Sequence, residues 1–213
     1  MPPPSDRLSL SPLYAILDPE QIKSSATESV LRALLEGGVK LLQLRVKTAS
    51  AADFLQLARA ARNVTRSHGC KLIVNDRVDV ALGCEADGVH LGQEDLPLHA
   101  ARKLVGHRII GISTHDVEQA REAEAGGADY IGFGPIFGTT TKATGYSARG
   151  LEMLRQVRQA VNVPFVAIGV ITEANVNEVW RAGADSAAII SDLLTADDIG
   201  NKVKRILALS LTG

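Results

Sequence analysis

The chain has 213 residues and a formal net charge of -1. That length suits one well-buried domain, and the near balance of charge leaves no basic field to draw nucleic acid or an anionic membrane. A hydrophobic content of 46% with only 4% aromatic residues points to a core of Ala, Val, Ile and Leu, as in a parallel sheet buried on both faces.

Met1 to Pro12 carries four prolines and no apolar signal core, so it reads as a flexible leader, with the domain over residues 13–213. Leu13 to Leu17 is a compact apolar run, a first strand stopped at Asp18-Pro19. Ser25 to Leu35 has apolar residues at helical spacing and closes at Gly37-Gly38. Val39 to Leu44 is a second strand, and Ala51 to Arg66 a helix with Phe54, Leu55, Ala58 and Ala61 on one face. Leu72 to Val74 is a third strand, followed by a short helix from Val78 to Leu82. Gly88 to Leu91 and Ile109 to Ile112 are the fourth and fifth strands, followed by helices over Leu98–Val105 and Val117–Ala125. Tyr130 to Phe133 is the sixth strand and Ala148 to Ala160 the next helix. Pro164 to Ile168, a helix over Glu173–Ala182, Ser186 to Ile190 and a last helix from about Asp197 to Leu209 complete the series.

Glycine closes three of these helices, at Gly37-Gly38, Gly126-Gly127 and Gly183, and the next strand begins at once. Eight alternating units with such short connections predict an α/β fold, a single-domain (β/α)8 TIM barrel. A doubly wound open sheet is the alternative, but no GxGxxG opens the first helix. No run approaches the roughly 20 apolar residues of a membrane span. Cys70 and Cys84 lack CxxC spacing and read as small thiols in a reducing, cytoplasmic setting.

The polar residues fall at one kind of place. Gln43, Arg45 and Lys47 follow strand two, Asn75 and Asp76 strand three, Asp95 strand four, Ser113 strand five and Lys142 strand six. Gly169 follows strand seven, and Ile190-Ser191 strand eight. In a parallel barrel these ends meet at one rim, where active sites are built. Gln43, Arg45 and Lys47 alternate, so all three face one way and suit an anion such as diphosphate; a solvated strand end would carry similar residues. Asp76 and Asp95 could be turn residues or helix caps, but two carboxylates facing added phosphates are what Mg2+ requires. His90 and His115 also lie at strand ends and read as structural, and no nucleophile–base–acid set is evident.

The segment Gly132 to Lys142 reads GFGPIFGTTTK. The hydroxyls of Thr139, Thr140 and Thr141, free backbone N–H groups and the Lys142 ammonium can together grip a phosphate, although Gly and Pro also mark ordinary surface loops. Gly169 with Val170, and Ile190 with Ser191, stand where many barrels bind phosphate through backbone N–H groups.

Gln43-Leu44-Arg45-x-Lys47, Val74-Asn75-Asp76-Arg77, the Gly88 to Pro97 run GVHLGQEDLP, Gly134-Pro135-x-Phe137 with Thr139 to Lys142, and Val166 to Gly169 together resemble the thiamine-phosphate synthase family. The resemblance runs from about Leu13 to Leu194. It implies a transferase that joins hydroxymethylpyrimidine diphosphate to a thiazole phosphate, giving thiamine phosphate and diphosphate. It further implies that Gln43, Leu44, Arg45, Val46, Lys47, Asn75, Ser113 and Lys142 hold the pyrimidine diphosphate. Of these, Arg45, Lys47, Ser113 and Lys142 are the expected catalytic group. Asp76 and Asp95 would bind Mg2+, and Thr139, Thr140, Thr141, Gly169, Val170, Ile190 and Ser191 the thiazole phosphate. The threonine loop would then be a lid between two anion sites.

Three positions depart from the family pattern. Val46 replaces an acidic residue, Gly138 a proline, and Val170 the second glycine of a pair; valine can supply the same backbone N–H there only with a negative φ. The alternatives are a thiazole tautomerase on the same barrel and a non-catalytic thiamine-phosphate-binding barrel. The first would not need both carboxylates and diphosphate cations, and the second should have lost some of them. The expected partners are small-molecule substrates, with a homo-oligomer left open.

Overall fold

Eight parallel strands close on themselves in sequence order, β1 pairing with β2 and so on round to β8 with β1. The computed structural model describes residues 8–22, 27–138 and 147–211. The strands are β1 (Leu13–Leu17), β2 (Leu41–Leu44), β3 (Lys71–Asn75), β4 (Gly88–Leu91), β5 (Ile109–Thr114), β6 (Tyr130–Phe133), β7 (Phe165–Ile168) and β8 (Ser186–Ile189). Helices α1 (Thr27–Glu36), α2 (Ala51–Ser67), α3 (Val78–Gly83), α4 (Leu98–Val105), α5 (Val117–Ala125), α6 (Gly150–Ala160) and α7 (Val176–Arg181) connect them. After β8 come a short α8 (Ser191–Leu194) and the final α9 (Ile199–Leu209). The expected barrel is the observed one. The sequence reading lacks α8 and the 3-10 turn Pro19–Gln21, both too short to show a period.

Alternation along the strands makes two cores. Leu13, Ala15, Leu17, Leu42, Leu44, Leu72 and Val74 point outward and pack under the helices. Tyr14, Ile16, Leu41, Ile73, Tyr130, Val166 and Ala188 point inward and fill the barrel. Of the segment expected as a leader, residues 8–12 are described. Leu8 and Leu10 pack against the inward cluster, and the Pro12 carbonyl accepts from the Ala187 N–H at 2.9 Å and Trp180 Nε1 at 3.2 Å.

The glycine turns form as expected, and Gly38 and Gly183 sit at φ of +111° and +110°. The aspartates just before β4, β6 and β8 carry a second, repeated device. Asp87 Oδ2 accepts from the Leu72 N–H and from Arg62, both at 2.7 Å. Asp129 Oδ2 accepts from the Ile110 N–H at 2.8 Å and Arg102 at 2.6 Å. Asp185 Oδ2 accepts from the Phe165 N–H at 2.8 Å and Arg158 at 3.0 Å. Each carboxylate thus ties a helix arginine to the start of a neighbouring strand, opposite the rim where the site lies.

Candidate active site

The strand ends at the other rim surround a pocket of about 490 Å³. Gln43, Arg45, Lys47, Asn75, Asp76, Asp95, Ser113 and Ile190 all line it, as the alternation and strand-end reading expects. The Leu44 side chain is fully buried in the outer core, and Val46 packs against that core. Those two can meet a ligand only through their backbone. Gly169, Val170 and Ser191 do not line this pocket. Thr139, Thr140, Thr141 and Lys142 lie outside the described residues.

The cations are held by acids. Arg45 pairs with Asp18, which is 1% exposed at the end of β1. Asp18 also accepts from the Glu20 N–H at 3.1 Å and Gln21 Nε2 at 3.2 Å. From the sequence alone, Asp18 reads only as a strand stop. Lys47 Nζ lies 2.5 Å from Asp76 Oδ2. Asp76 stands at φ +62°, a left-handed conformation that Asp tolerates better than most residues, and its N–H donates to the His90 carbonyl at 2.8 Å. Asp95 closes a tight turn, with Oδ2 accepting from the Gly92 N–H at 2.7 Å. Burial, and after it the Asp76 carboxylate, push the Asp95 carboxyl up, against the Gly92 N–H and the Lys47 charge.

The floor is polar in a way the sequence reading missed. His90 Nε2 lies 2.9 Å from Ser113 Oγ, and His90 Nδ1 2.9 Å from the Tyr130 hydroxyl. Tyr130 in turn meets Tyr14 at 2.9 Å, and Tyr14 accepts from Gln43 Nε2 at 3.0 Å. His90 is therefore part of the pocket wall rather than a purely structural residue. Ser113 and His90 do pair, but the third member is a phenol and not a carboxylate, so the pair is not a nucleophile–base–acid set. Glycine makes the room for it. A Cβ on Gly111 would lie 2.0 Å from Tyr130 Cζ, and one on Gly132 would lie 3.0 Å from His90 Cε1. Tyr130 and His90 were hard to find from sequence because each sits in an apolar strand, Tyr130-Ile131-Gly132-Phe133 or Gly88-Val89-His90-Leu91. The inward period of two was the available signal.

At β7, Gly169 takes φ +115°, and a Cβ there would lie 2.6 Å from Pro135 Cα. Val170 takes φ +50°, so the negative φ required by the sequence reading is not adopted. The turn itself imposes this: Asn175 Nδ2 donates to the Val170 carbonyl at 3.1 Å, and Asn175 Oδ1 accepts from the Thr172 N–H at 2.8 Å.

The barrel and this rim can be compared with known proteins. The family model described as thiamine monophosphate synthase matches residues 13–193. The chain belongs to the thiamine monophosphate synthase family. The thiamine-phosphate synthase of Chloroflexus aurantiacus is 44% identical over 197 residues, covering 92% of this chain and 91% of that one. That of Halalkalibacterium halodurans is 45% identical over 188 residues, covering 88% and 89%. Among solved structures, thiamine phosphate pyrophosphorylase from Pyrococcus furiosus superposes with a TM-score of 0.87 at 35% identity, over 95% of this chain and 96% of that one. Family membership makes this chain a transferase acting on small molecules, and no helix among the described residues is long and apolar enough to cross a membrane.

Proposed function

We propose that the chain joins hydroxymethylpyrimidine diphosphate to a thiazole phosphate. The C–O bond to diphosphate breaks first, its electron pair leaving with diphosphate, and the thiazole ring nitrogen then forms a bond to the pyrimidine methylene cation left behind. The products are thiamine phosphate and diphosphate. One observation carries this reading beyond the family: Arg45 and Lys47 converge with Asp76 and Asp95 in one pocket that also holds Gln43, Asn75 and Ser113. Cations beside paired carboxylates suit a leaving diphosphate, and amide and hydroxyl groups suit a nitrogen heterocycle.

The charge that grows on the leaving group is met by Arg45 and Lys47, with Lys142 as a further expected donor. The pyrimidine methylene cation is stabilised by its own ring, so the path is dissociative and needs no protein nucleophile. The protein's tasks are alignment, charge stabilisation and exclusion of water. Gln43, Asn75 and Ser113 orient the ring.

Asp76 and Asp95 fit Mg2+. They are neighbouring hard oxygen ligands, one already bearing the Lys47 ammonium. Among the described residues there is no group of three or more His, Cys, Asp or Glu able to hold a metal. Two carboxylates with substrate phosphate oxygens and water are the usual environment of Mg2+, which would neutralise diphosphate charge there. The thiazole phosphate is assigned to Thr139, Thr140 and Thr141 with Gly169, Val170, Ile190 and Ser191, of which Ile190 lines the pocket.

The decisive experiment mixes purified protein with both precursors and Mg2+ and follows thiamine phosphate and diphosphate. Both should form together, and neither precursor alone should react. Turnover of the thiazole alone would point to the tautomerase, and release of diphosphate from the pyrimidine alone to a hydrolase.

A further inference from the structure

Five side chains on five strands form one unbroken line of hydrogen bonds through the barrel: Gln43, Tyr14, Tyr130, His90 and Ser113. Its two ends, Gln43 and Ser113, open on the pocket. Its two phenols are buried, with Tyr14 and Tyr130 only 1% and 0% exposed, and His90 forms part of the pocket wall.

Counting protons gives the line a direction. A phenol has one proton, and a neutral imidazole has one N–H. The Tyr14 oxygen receives the Gln43 N–H, so its own proton has one acceptor among the described residues, the Tyr130 oxygen. The Tyr130 proton then goes to His90 Nδ1, and the imidazole proton stays on Nε2, aimed at Ser113 Oγ. The Ser113 hydroxyl proton has no acceptor left among the described residues and faces the pocket. Turning over the Gln43 amide would reverse every bond, and Ser113 would then give its proton to His90. The line therefore has two states, and its ends always differ in character.

The interior keeps the phenols neutral, because burial raises both above their ordinary range. With the Gln43 amide as placed, Nε2 carries the imidazole proton and points it at Ser113 Oγ, so in this state His90 is not set as a base for that hydroxyl.

We propose that this line sets the hydrogen-bonding polarity of the pocket, with Gln43 offering an acceptor oxygen and Ser113 a donor hydroxyl, and with Tyr14, Tyr130 and His90 as positioning residues. A ligand that brings one donor and one acceptor satisfies both ends. An amino-substituted nitrogen heterocycle carrying phosphate does so. A ligand presenting two donors or two acceptors leaves one end unpaired and should bind about 10-fold or more weakly. The link to a heterocycle rests on the proposed function, whereas the polarity belongs to the protein alone.

The test reads the His90 tautomer by long-range 1H–15N correlation in the full-length protein without substrate. The chain has five histidines, and His90→Gln assigns the signal. Wild type should show a neutral Nε2–H imidazole near pH 7. Gln43→Glu places a carboxylate that can only accept, beside the Arg45 and Lys47 charges, and should turn His90 to Nδ1–H although it touches Tyr14 and not His90. Tyr130→Phe cuts the line, so this variant and its double with Gln43→Glu should give the same His90 spectrum. An unchanged tautomer in Gln43→Glu, or transmission that survives the cut, overturns the proposal. A kinetic cycle gives the second readout: Ser113→Ala and Tyr130→Phe should each lower kcat/KM about 10-fold or more, and the double variant no further. Additive losses would also overturn it. Failure to make thiamine phosphate would refute the proposed function and leave the tautomer result standing.

Discussion

Asp18 and Arg45 form an ion pair across the tops of β1 and β2, with the acid buried and the guanidinium opening on the pocket. The pair fixes a cation that would otherwise swing in solvent. Asp18→Ala should raise the KM for the diphosphate substrate about 10-fold and cost about 1–3 kcal/mol of stability, since a buried acceptor set is removed with it. Steady-state kinetics and urea melts measure the two effects. An unchanged KM would show that Arg45 does not depend on Asp18.

Asp76→Ala should lower turnover at least 100-fold, and extra Mg2+ should not restore it. Wild type should lose activity in excess chelator and regain it with Mg2+. Full activity in chelator would sink the metal assignment.

Asp129→Asn breaks one of the repeated arginine ties at the far rim. We expect a loss of about 1–2 kcal/mol with kcat and KM unchanged, because neither Asp129 nor Arg102 touches the pocket. A change in kcat would mean that the two rims are coupled.

His90 is held near pKa 4, below the ordinary 6.5. The unfolded chain therefore binds the extra proton between these values, and the folded chain does not. Stability from this group is fully present above about pH 6.5 and is lost as pH falls towards 4, by about 1–3 kcal/mol given the ring's open edge. Denaturation at pH 7 and pH 5 should show the decline in wild type and a shallower one in His90→Gln. Equal declines would refute the assignment.

Val170 is exposed and carries a β-branched side chain at φ +50°. Val170→Gly relieves that strain but frees the unfolded chain, so a net gain of about 1 kcal/mol is expected in thermal or urea melts. A loss would show that the side chain makes a contact worth more than the strain. Gly169→Ala should do the opposite, because its Cβ would meet Pro135.

The barrel was legible because inward and outward residues alternate and glycine ends the helices before the strands. Gln43, Arg45, Lys47, Asn75, Asp76, Asp95 and Ser113 were legible because a charge, amide or hydroxyl at a strand end stands out from an apolar run. Asp18 was not, since an aspartate before proline also reads as a stop. Tyr14, Tyr130 and His90 were not, because their partners lie on other strands and the space they share comes from missing side chains at Gly111 and Gly132. The Asp87, Asp129 and Asp185 ties were hidden in the same way: the nearby glycines were visible, but not the arginines 25 to 27 positions earlier that each acid holds.

Leu8 and Leu10 lie against the inward cluster, below the tyrosines that floor the pocket. The barrel is thus plugged beneath the pocket. We expect traffic to run as a stack, the molecule seated deeper entering first and leaving last, an order that product-inhibition patterns would reveal.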